Sequence, residues 1–206
     1  MTGARIEFFY DLSSPWTYLA FTNLQPILAR TGTEAVLRPI LVGGVFNAVN
    51  QSVYAAREAT DNRKLNHAWK VMKDWSKLAG VEMHFPSQYH PAKSVAAMRM
   101  ACTLADDIPA LTIFTKAAFE SYFGRQENLD DPETLVAVAD AAGLDGKTMK
   151  AAAQTDAVKA LLRSNTEEVI ARGGYGSPTI FVDRTKMYFG NDQLPLVEFA
   201  LKEKPA

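Results

Sequence analysis

Two short stretches hold the residues best placed to do chemistry. In Ser13-Ser14-Pro15-Trp16-Thr17 a hydroxyl stands directly before a proline, a few residues after the aromatic run Ile6-Glu7-Phe8-Phe9-Tyr10. Proline suits the first helical position, where its missing N–H costs nothing, so Ser14 is expected to cap a helix that follows a strand. A group held there meets unpaired N–H groups and the positive end of the helix dipole, which favours an anion and in particular a thiolate. On their own, these residues need be no more than a helix cap. The second stretch, Gly176-Ser177-Pro178-Thr179, leads into a β-branched and aromatic run. Its Ser-Pro step at the start of a strand is compatible with a cis-proline turn, and the sequence leaves cis and trans open. Such a turn would present the N–H and C=O of Ser177 to an extended, peptide-like ligand, as a strand edge does.

Other chemistries find little support. A single cysteine, Cys102, permits no intramolecular disulfide, CxxC redox centre or multi-cysteine zinc site. With Met98, Ala101 and Ala105 at helical spacing it reads as core. His84 and His90 lack the HExxH spacing and any thiolate partner, so no metal is expected. Asp130-Asp131 before Pro132 reads as a helix cap, not a pair of catalytic carboxylates, and Ile113, Phe114, Ala117 and Ala118 read as core.

The elements that must position the two stretches follow from the remaining pattern. The chain has 206 residues, 48% of them apolar, enough for one domain or one domain carrying an insert. Its 22 Lys and Arg balance 23 Asp and Glu, leaving a formal net charge of -1. That balance offers no electrostatic basis for binding nucleic acid or for a polybasic membrane anchor. The N-terminus lacks the pattern of a secretory signal, and no apolar run approaches the roughly 20 residues needed to cross a bilayer. A soluble, cytoplasmic protein is expected.

Arg5 to Tyr10 reads as a strand with Ile6, Phe8 and Tyr10 on one face. A helix from Pro15 carries Trp16, Leu19, Ala20, Leu24, Ile27 and Leu28, with Pro26 expected to kink or shorten it. Gly32 closes it, and Ala35 to Val42 reads as a second strand, placed at an edge or bulge by Pro39. From Phe46 to Asn165 the chain is Ala-, Leu-, Met- and Lys-rich. Helices are expected over 64–79, 94–105, 110–123, 132–142 and 157–171. Strands return at 179–182 and 187–189, and a last helix is expected from Asp192 with Leu194, Val197 and Leu201 inward. The order is β-α-β, a helical block, then β-β-α. That is an α/β, thioredoxin-like core from residues 1–45 and 166–206, interrupted by an all-helical subdomain over 46–165.

Four ordered landmarks carry a resemblance over nearly the whole chain. They are Phe9-Tyr10-Asp11-Leu12-Ser13-Ser14-Pro15-Trp16-Thr17-Tyr18-Leu19, the Phe85-Pro86 and His90-Pro91-Ala92-Lys93-Ser94 stretch, Gly173 to Phe181, and Phe189-Gly190-Asn191-Asp192-Gln193-Leu194. In these the sequence resembles the 2-hydroxychromene-2-carboxylate isomerases and the related kappa-class glutathione transferases, within the DsbA-type thioredoxin folds. The resemblance implies a glutathione-dependent cis–trans isomerase of a 2-hydroxychromene-2-carboxylate or a close aromatic analogue, working as a homodimer. A kappa-like transferase or peroxidase, or a non-catalytic thioredoxin-fold binding module, stand as alternatives.

The resemblance also implies roles for single residues. Ser14 replaces the redox cysteine and donates a hydrogen bond to the glutathione sulfur, while Thr17 stands at the second cysteine position, so dithiol exchange is absent. Glutathione is held by the backbone of Ser177 before Pro178, by Gly190, Asn191 and Asp192 at its γ-glutamyl end, and by Asn50. Substrate contacts fall on Asn62, Arg63, Lys64 and Tyr89. His67, Val71 and Asp74 stand where many relatives carry Tyr, Asp and Arg, and Lys93 stands where relatives often carry Asn, departures that bear on the substrate pocket more than on the fold.

Overall fold

The aromatic run forms the first strand, β1 (Ile6–Tyr10), with all five residues buried, in a computed structural model that describes residues 6–54 and 63–203. Side chains alternate across the sheet: Ile6, Phe8 and Tyr10 enter one apolar cluster, while Phe9 joins Ile40, Val45, Val169 and Phe181 on the other face. The first helix, α1 (Pro15–Thr31), runs on through Pro26 and closes at Gly32 with a left-handed cap. Proline removes one helical hydrogen bond, that to the Thr22 carbonyl. Pro26 is exposed and Thr22 half-buried, so α1 is not shortened there.

The second strand, β2 (Ala35–Pro39), ends at Pro39, and the expected last residue Val42 instead opens α2 (Val42–Val49). The helices that follow are α3 (Arg63–Ala79), α4 (Val95–Cys102) and α5 (Ile108–Phe119), the last running into a π-helical turn over Glu120–Gly124. Next come α6 (Pro132–Ala141), α7 (Gly146–Ala152) and α8 (Asp156–Ala171). The hairpin β3 (Thr179–Val182) and β4 (Lys186–Phe189) and the helix α9 (Leu194–Lys202) complete the chain. The sheet order is β2-β1-β3-β4, with β1 parallel to β2 and the other pairs antiparallel. Pro39 thus sits on an edge strand, where a missing N–H is tolerated.

Two short helices were not expected. The Val-Gly-Gly start of α2 is poor helix sequence, and α7 is set by Asp145, whose side chain accepts from the Thr148 N–H at 2.9 Å. The last helix begins at Leu194, two residues later than expected. Gln193 occupies the cap position, and its Oε1 turns back to the Phe189 N–H at 2.8 Å, leaving Asp192 exposed before the helix. Asp131 caps α6 as expected, accepting from Glu133 and Thr134.

Every regular element described between residues 50 and 155 is helical, but the boundaries 45/46 and 165/166 fall inside α2 and α8. Residues from both portions share one apolar core. Ile6, Phe8, Tyr18 and Phe21 cluster with Phe114, Phe119, Leu135 and Leu162. Tyr18 stacks on Phe119 and Phe123 with ring centroids 5.1 and 5.7 Å apart. Among the described residues no helix is long and apolar enough to cross a membrane.

On the opposite face of the sheet a charged knot fastens α8. Glu7 accepts from Arg172 at 2.7 Å, Arg172 also donates to Glu168 at 2.8 Å, and Arg38 pairs with Glu168. The Arg172 guanidinium lies over the Phe181 ring at 3.8 Å. Burial alone would raise the Glu7 pKa, but the hydrogen bond and charge of Arg172, with the charge of Arg38, outweigh it and hold Glu7 below its ordinary 4.5. A carboxylate with a lowered folded pKa contributes stability above its unfolded value, and that contribution is lost as pH falls through the folded value. Glu7→Gln is expected to cost about 2 kcal/mol at neutral pH, because the half-buried Arg172 keeps Glu168 but loses a charged acceptor. The gap to wild type should narrow in acid. Urea midpoints at the two pH values check both parts, and a gap that widens in acid contradicts them.

Candidate active site

The turn from β1 into α1 puts Ser14 where its sequence suggested. Its Oγ accepts from the Thr17 N–H at 3.2 Å and donates to the Ser177 carbonyl at 3.2 Å, with Pro15 in the first turn. The second stretch is thus brought directly against the first. The Ser177–Pro178 bond is cis, as are Phe85–Pro86 and His90–Pro91. The Ser177 Oγ lies 2.8 Å from Thr17 Oγ1 and accepts from the Asp11 N–H at 2.9 Å. The Ser177 carbonyl accepts the Ser14 hydroxyl and keeps a second lone pair. Its N–H takes no backbone carbonyl among the described residues. Ser14 therefore carries a hydroxyl polarised by an accepted bond, and it can redirect its own donated bond from the Ser177 carbonyl to a better acceptor.

A cleft of about 620 Å³ opens over Ser14. Its walls are aromatic and apolar: Trp16 on α1, Phe46 on α2, Trp69 on α3, Phe85, Tyr175 and Phe189. Among its described walls there is no Lys, Arg, Asp or Glu; His90 and Tyr175 are the titratable side chains present. Gly176 is needed here, since a Cβ would meet the Phe189 ring at 2.8 Å and spoil its 4.4 Å packing on Tyr175. A second hollow of about 410 Å³ shares Trp16, Ala68, Ser177 and Phe189 with the cleft and is also lined by His67, Trp75, Gly190, Asn191 and Asp192. Gly190 has φ of 88°, a region that favours glycine. A larger hollow of about 720 Å³ lies between α5 and α6 and holds none of these residues, so volume alone does not locate the chemistry.

Of the expected glutathione contacts, Ser14, Asn50, Ser177, Gly190, Asn191 and Asp192 all line these two hollows, and the Pro178 carbonyl holds the Gly190 N–H at 3.2 Å. Asn50 is already engaged, its Nδ2 donating to the Tyr175 carbonyl at 3.1 Å and its Oδ1 accepting from Ser52 at 3.0 Å. Asn191 is 1% exposed, and its Oδ1 accepts from Asn23 Nδ2 at 2.8 Å. Its own Nδ2 finds no acceptor among the described residues. A buried donor without a partner is unusual in a native structure and is expected to find one in a water or ligand. That donor suits a carboxylate and the exposed Asp192 carboxylate suits an ammonium, a pairing that fits the γ-glutamyl group of glutathione.

The expected substrate contacts fare differently. Asn62 lies outside the described residues. Arg63 and Lys64 are exposed at the first turn of α3 and off its inward stripe of Leu65, Ala68, Trp69 and Met72, which lines the cleft at helical spacing. Tyr89 is 38% exposed and is not a wall of the cleft; its backbone carbonyl accepts from Tyr122, and the next residue, His90, faces the cleft instead. Cys102 is buried, and burial pushes its thiol up to about 12, which suits a core residue and not a nucleophile. Sequence reasoning missed the aromatic wall and Asn23. The 65/68/69/72 spacing signalled the former, while nothing in the sequence places Asn23 opposite Asn191.

A family model of the DSBA-like thioredoxin domain matches residues 5–202. The 2-hydroxychromene-2-carboxylate isomerase of Sphingobium xenophagum is 26% identical over 197 residues, covering 94% of this chain and 95% of that protein. Glutathione S-transferase kappa 1 of Homo sapiens is 26% identical over 221 residues, covering 97% and 91%. A solved structure of a 2-hydroxychromene-2-carboxylate isomerase superposes with a TM-score of 0.78 at 21% identity, over 96% of this chain and 94% of that one, a likeness of fold.

Proposed function

The chain belongs to the DSBA-like thioredoxin family, and from that premise we propose that it is a glutathione-dependent enzyme that isomerises a 2-hydroxychromene-2-carboxylate or a close aromatic analogue. The observation that carries this reading is Ser14 at the start of α1, hydrogen-bonded to Ser177 before Pro178 and opening on an aromatic cleft. Glutathione, when bound, supplies the thiolate that adds to the conjugated acid and departs after bond rotation. The chain's own part is to hold and ionise that thiol. Ser14 moves its hydrogen bond from the Ser177 carbonyl to the sulfur, and the first-turn N–H groups of α1 add the positive dipole end. The Ser177 N–H pairs with the cysteinyl backbone, while Asn191 and Asp192 take the γ-glutamyl end. Trp16, Trp69 and Phe85 bracket a flat acceptor and keep water from it.

A second reading is favoured by the lack of Lys, Arg, Asp or Glu among the described walls of the cleft. An uncharged electrophile suits such walls, which points to a kappa-like transferase. Incubation with glutathione and the chromene acid, and separately with a chloronitrobenzene, tells the two apart. Glutathione-dependent isomerisation is the expected result. Conjugate formation without isomerisation assigns the transferase, and no thermal shift with glutathione and no retention on a glutathione resin overturns both. We further propose that the protein works as a homodimer, so light scattering should give a mass twice the 22.7 kDa of one chain, and a mass of one chain contradicts it.

A further inference from the structure

Asp11 stands three residues before Ser14, fully buried, and neither the helix cap nor the cleft uses its side chain. Its carboxylate is bound by four neutral donors. Oδ1 accepts from the Ser13 N–H at 2.9 Å and the Ser13 hydroxyl at 2.8 Å, and Oδ2 accepts from the Val42 N–H at 2.8 Å and the Ser94 hydroxyl at 3.0 Å. Val42 is the first residue of α2 and Ser94 the cap position of α4, so the starts of three helices converge on this one side chain. Its own N–H and carbonyl are tied to Ser177 Oγ and the Ser14 N–H. The site therefore gathers positive helix ends and gives a share of them to a fixed anion beside the place proposed for a second, the glutathione sulfur.

We propose that Asp11 is a positioning residue whose negative charge, knotted between the starts of α1, α2 and α4, sets the ionisation of the thiol held at Ser14. The inference rests on the glutathione reading above. Like charges disfavour one another's ionised forms, so Asp11 holds the bound thiol higher than the helix starts and the Ser14 hydroxyl alone would. A thiolate of higher pKa is the stronger nucleophile, and the best attacking thiol has a pKa near the ambient pH. The carboxylate thus gives up part of the thiolate fraction for a more nucleophilic sulfur. Burial lifts the Asp11 carboxyl above its ordinary range, and the bonds from Ser13, Val42 and Ser94 reduce that rise without cancelling it. All four place a donor on its oxygens, the pattern of a carboxylate. Among the described residues, the other titratable groups near this knot are Tyr10 on β1, whose phenol feels the Asp11 charge, and Tyr54, His90 and Lys93, which line the hollow beside Ser13, Val42 and Ser94.

Titrating the ultraviolet absorbance of the thiolate of bound glutathione tests the proposal. In Asp11→Asn the bound thiol's pKa is expected to fall by roughly half a unit to one unit, the range of a single nearby charge. In Ser94→Ala, where the carboxylate stays and loses one donor, it is expected to rise. If Asp11 serves packing alone, both variants loosen Ser14 and move the pKa upward together; a value unchanged or raised in Asp11→Asn overturns the proposal. Wild-type protein gives a second reading should Asp11→Asn not fold. By reciprocity, the Asp11 carboxyl, followed by carbon NMR, should titrate higher with the permanently anionic glutathione sulfonate bound than with neutral S-methylglutathione. Equal values overturn it. If neither analogue binds, the glutathione reading itself has failed, a distinct outcome.

Discussion

Ser14→Ala is expected to lower glutathione-dependent turnover by at least about ten-fold, toward the roughly hundred- to thousand-fold seen when one donor to a developing anion is removed. The fold should survive. The substitution also removes the cap bond to the Thr17 N–H, which costs about 1 kcal/mol, a loss a chain of this size tolerates. Glutathione affinity should change less than turnover, because the proposed contacts of Ser177, Asn191 and Asp192 are untouched. Initial rates at saturating glutathione, with circular dichroism to establish folding, decide the matter. Unchanged turnover would show that the hydroxyl does not touch the reacting sulfur.

Phe119→Ala is the largest expected loss of stability, about 3–5 kcal/mol for a buried phenylalanine cut to a methyl. Phe119 is fully buried and packs on Tyr18, Phe21 and Phe123, with centroids 5.1, 5.7 and 6.2 Å away. Those rings join α1 of the thioredoxin-like portion to α5 of the helical portion, so the cavity opens in a core both share. The melting temperature should drop by about 10 °C, scaling from a few degrees per kcal/mol at this length. Unfolding of wild type and variant should stay a single transition in calorimetry. Two separate transitions in wild type would contradict a shared core.

The fold was legible where local rules and the hydrophobic pattern agree. Ser14-Pro15, Gly32 and Asp131 each mark a helix end with its own chemistry, and β1 shows its alternation in Ile6, Phe8 and Tyr10. It was illegible where tertiary contacts override propensity. The Gly43-Gly44 start of α2 is held by Asp11 on the Val42 N–H and by Thr166 on the Leu41 N–H, partners distant in sequence. Pro26 fails to break α1 because it falls on the exposed side. Within the site, residues fixed by backbone turns, Ser14, Ser177, Gly190 and Asn191, could be read from motif and order. Lys64, Arg63 and Tyr89 could not, since their place depends on how α3 and the 85–94 loop rotate against the sheet. The knot at Asp11 joins residues 11, 13, 42 and 94, a pattern that a linear reading does not contain.

A crystal structure of the chain with glutathione tests the central claim most directly. The sulfur is expected within ~3.5 Å of Ser14 Oγ, with the hydroxyl released from the Ser177 carbonyl and the γ-glutamyl group against Asn191 and Asp192. Glutathione bound with its sulfur away from Ser14 would contradict the account, whatever reaction the protein proves to catalyse.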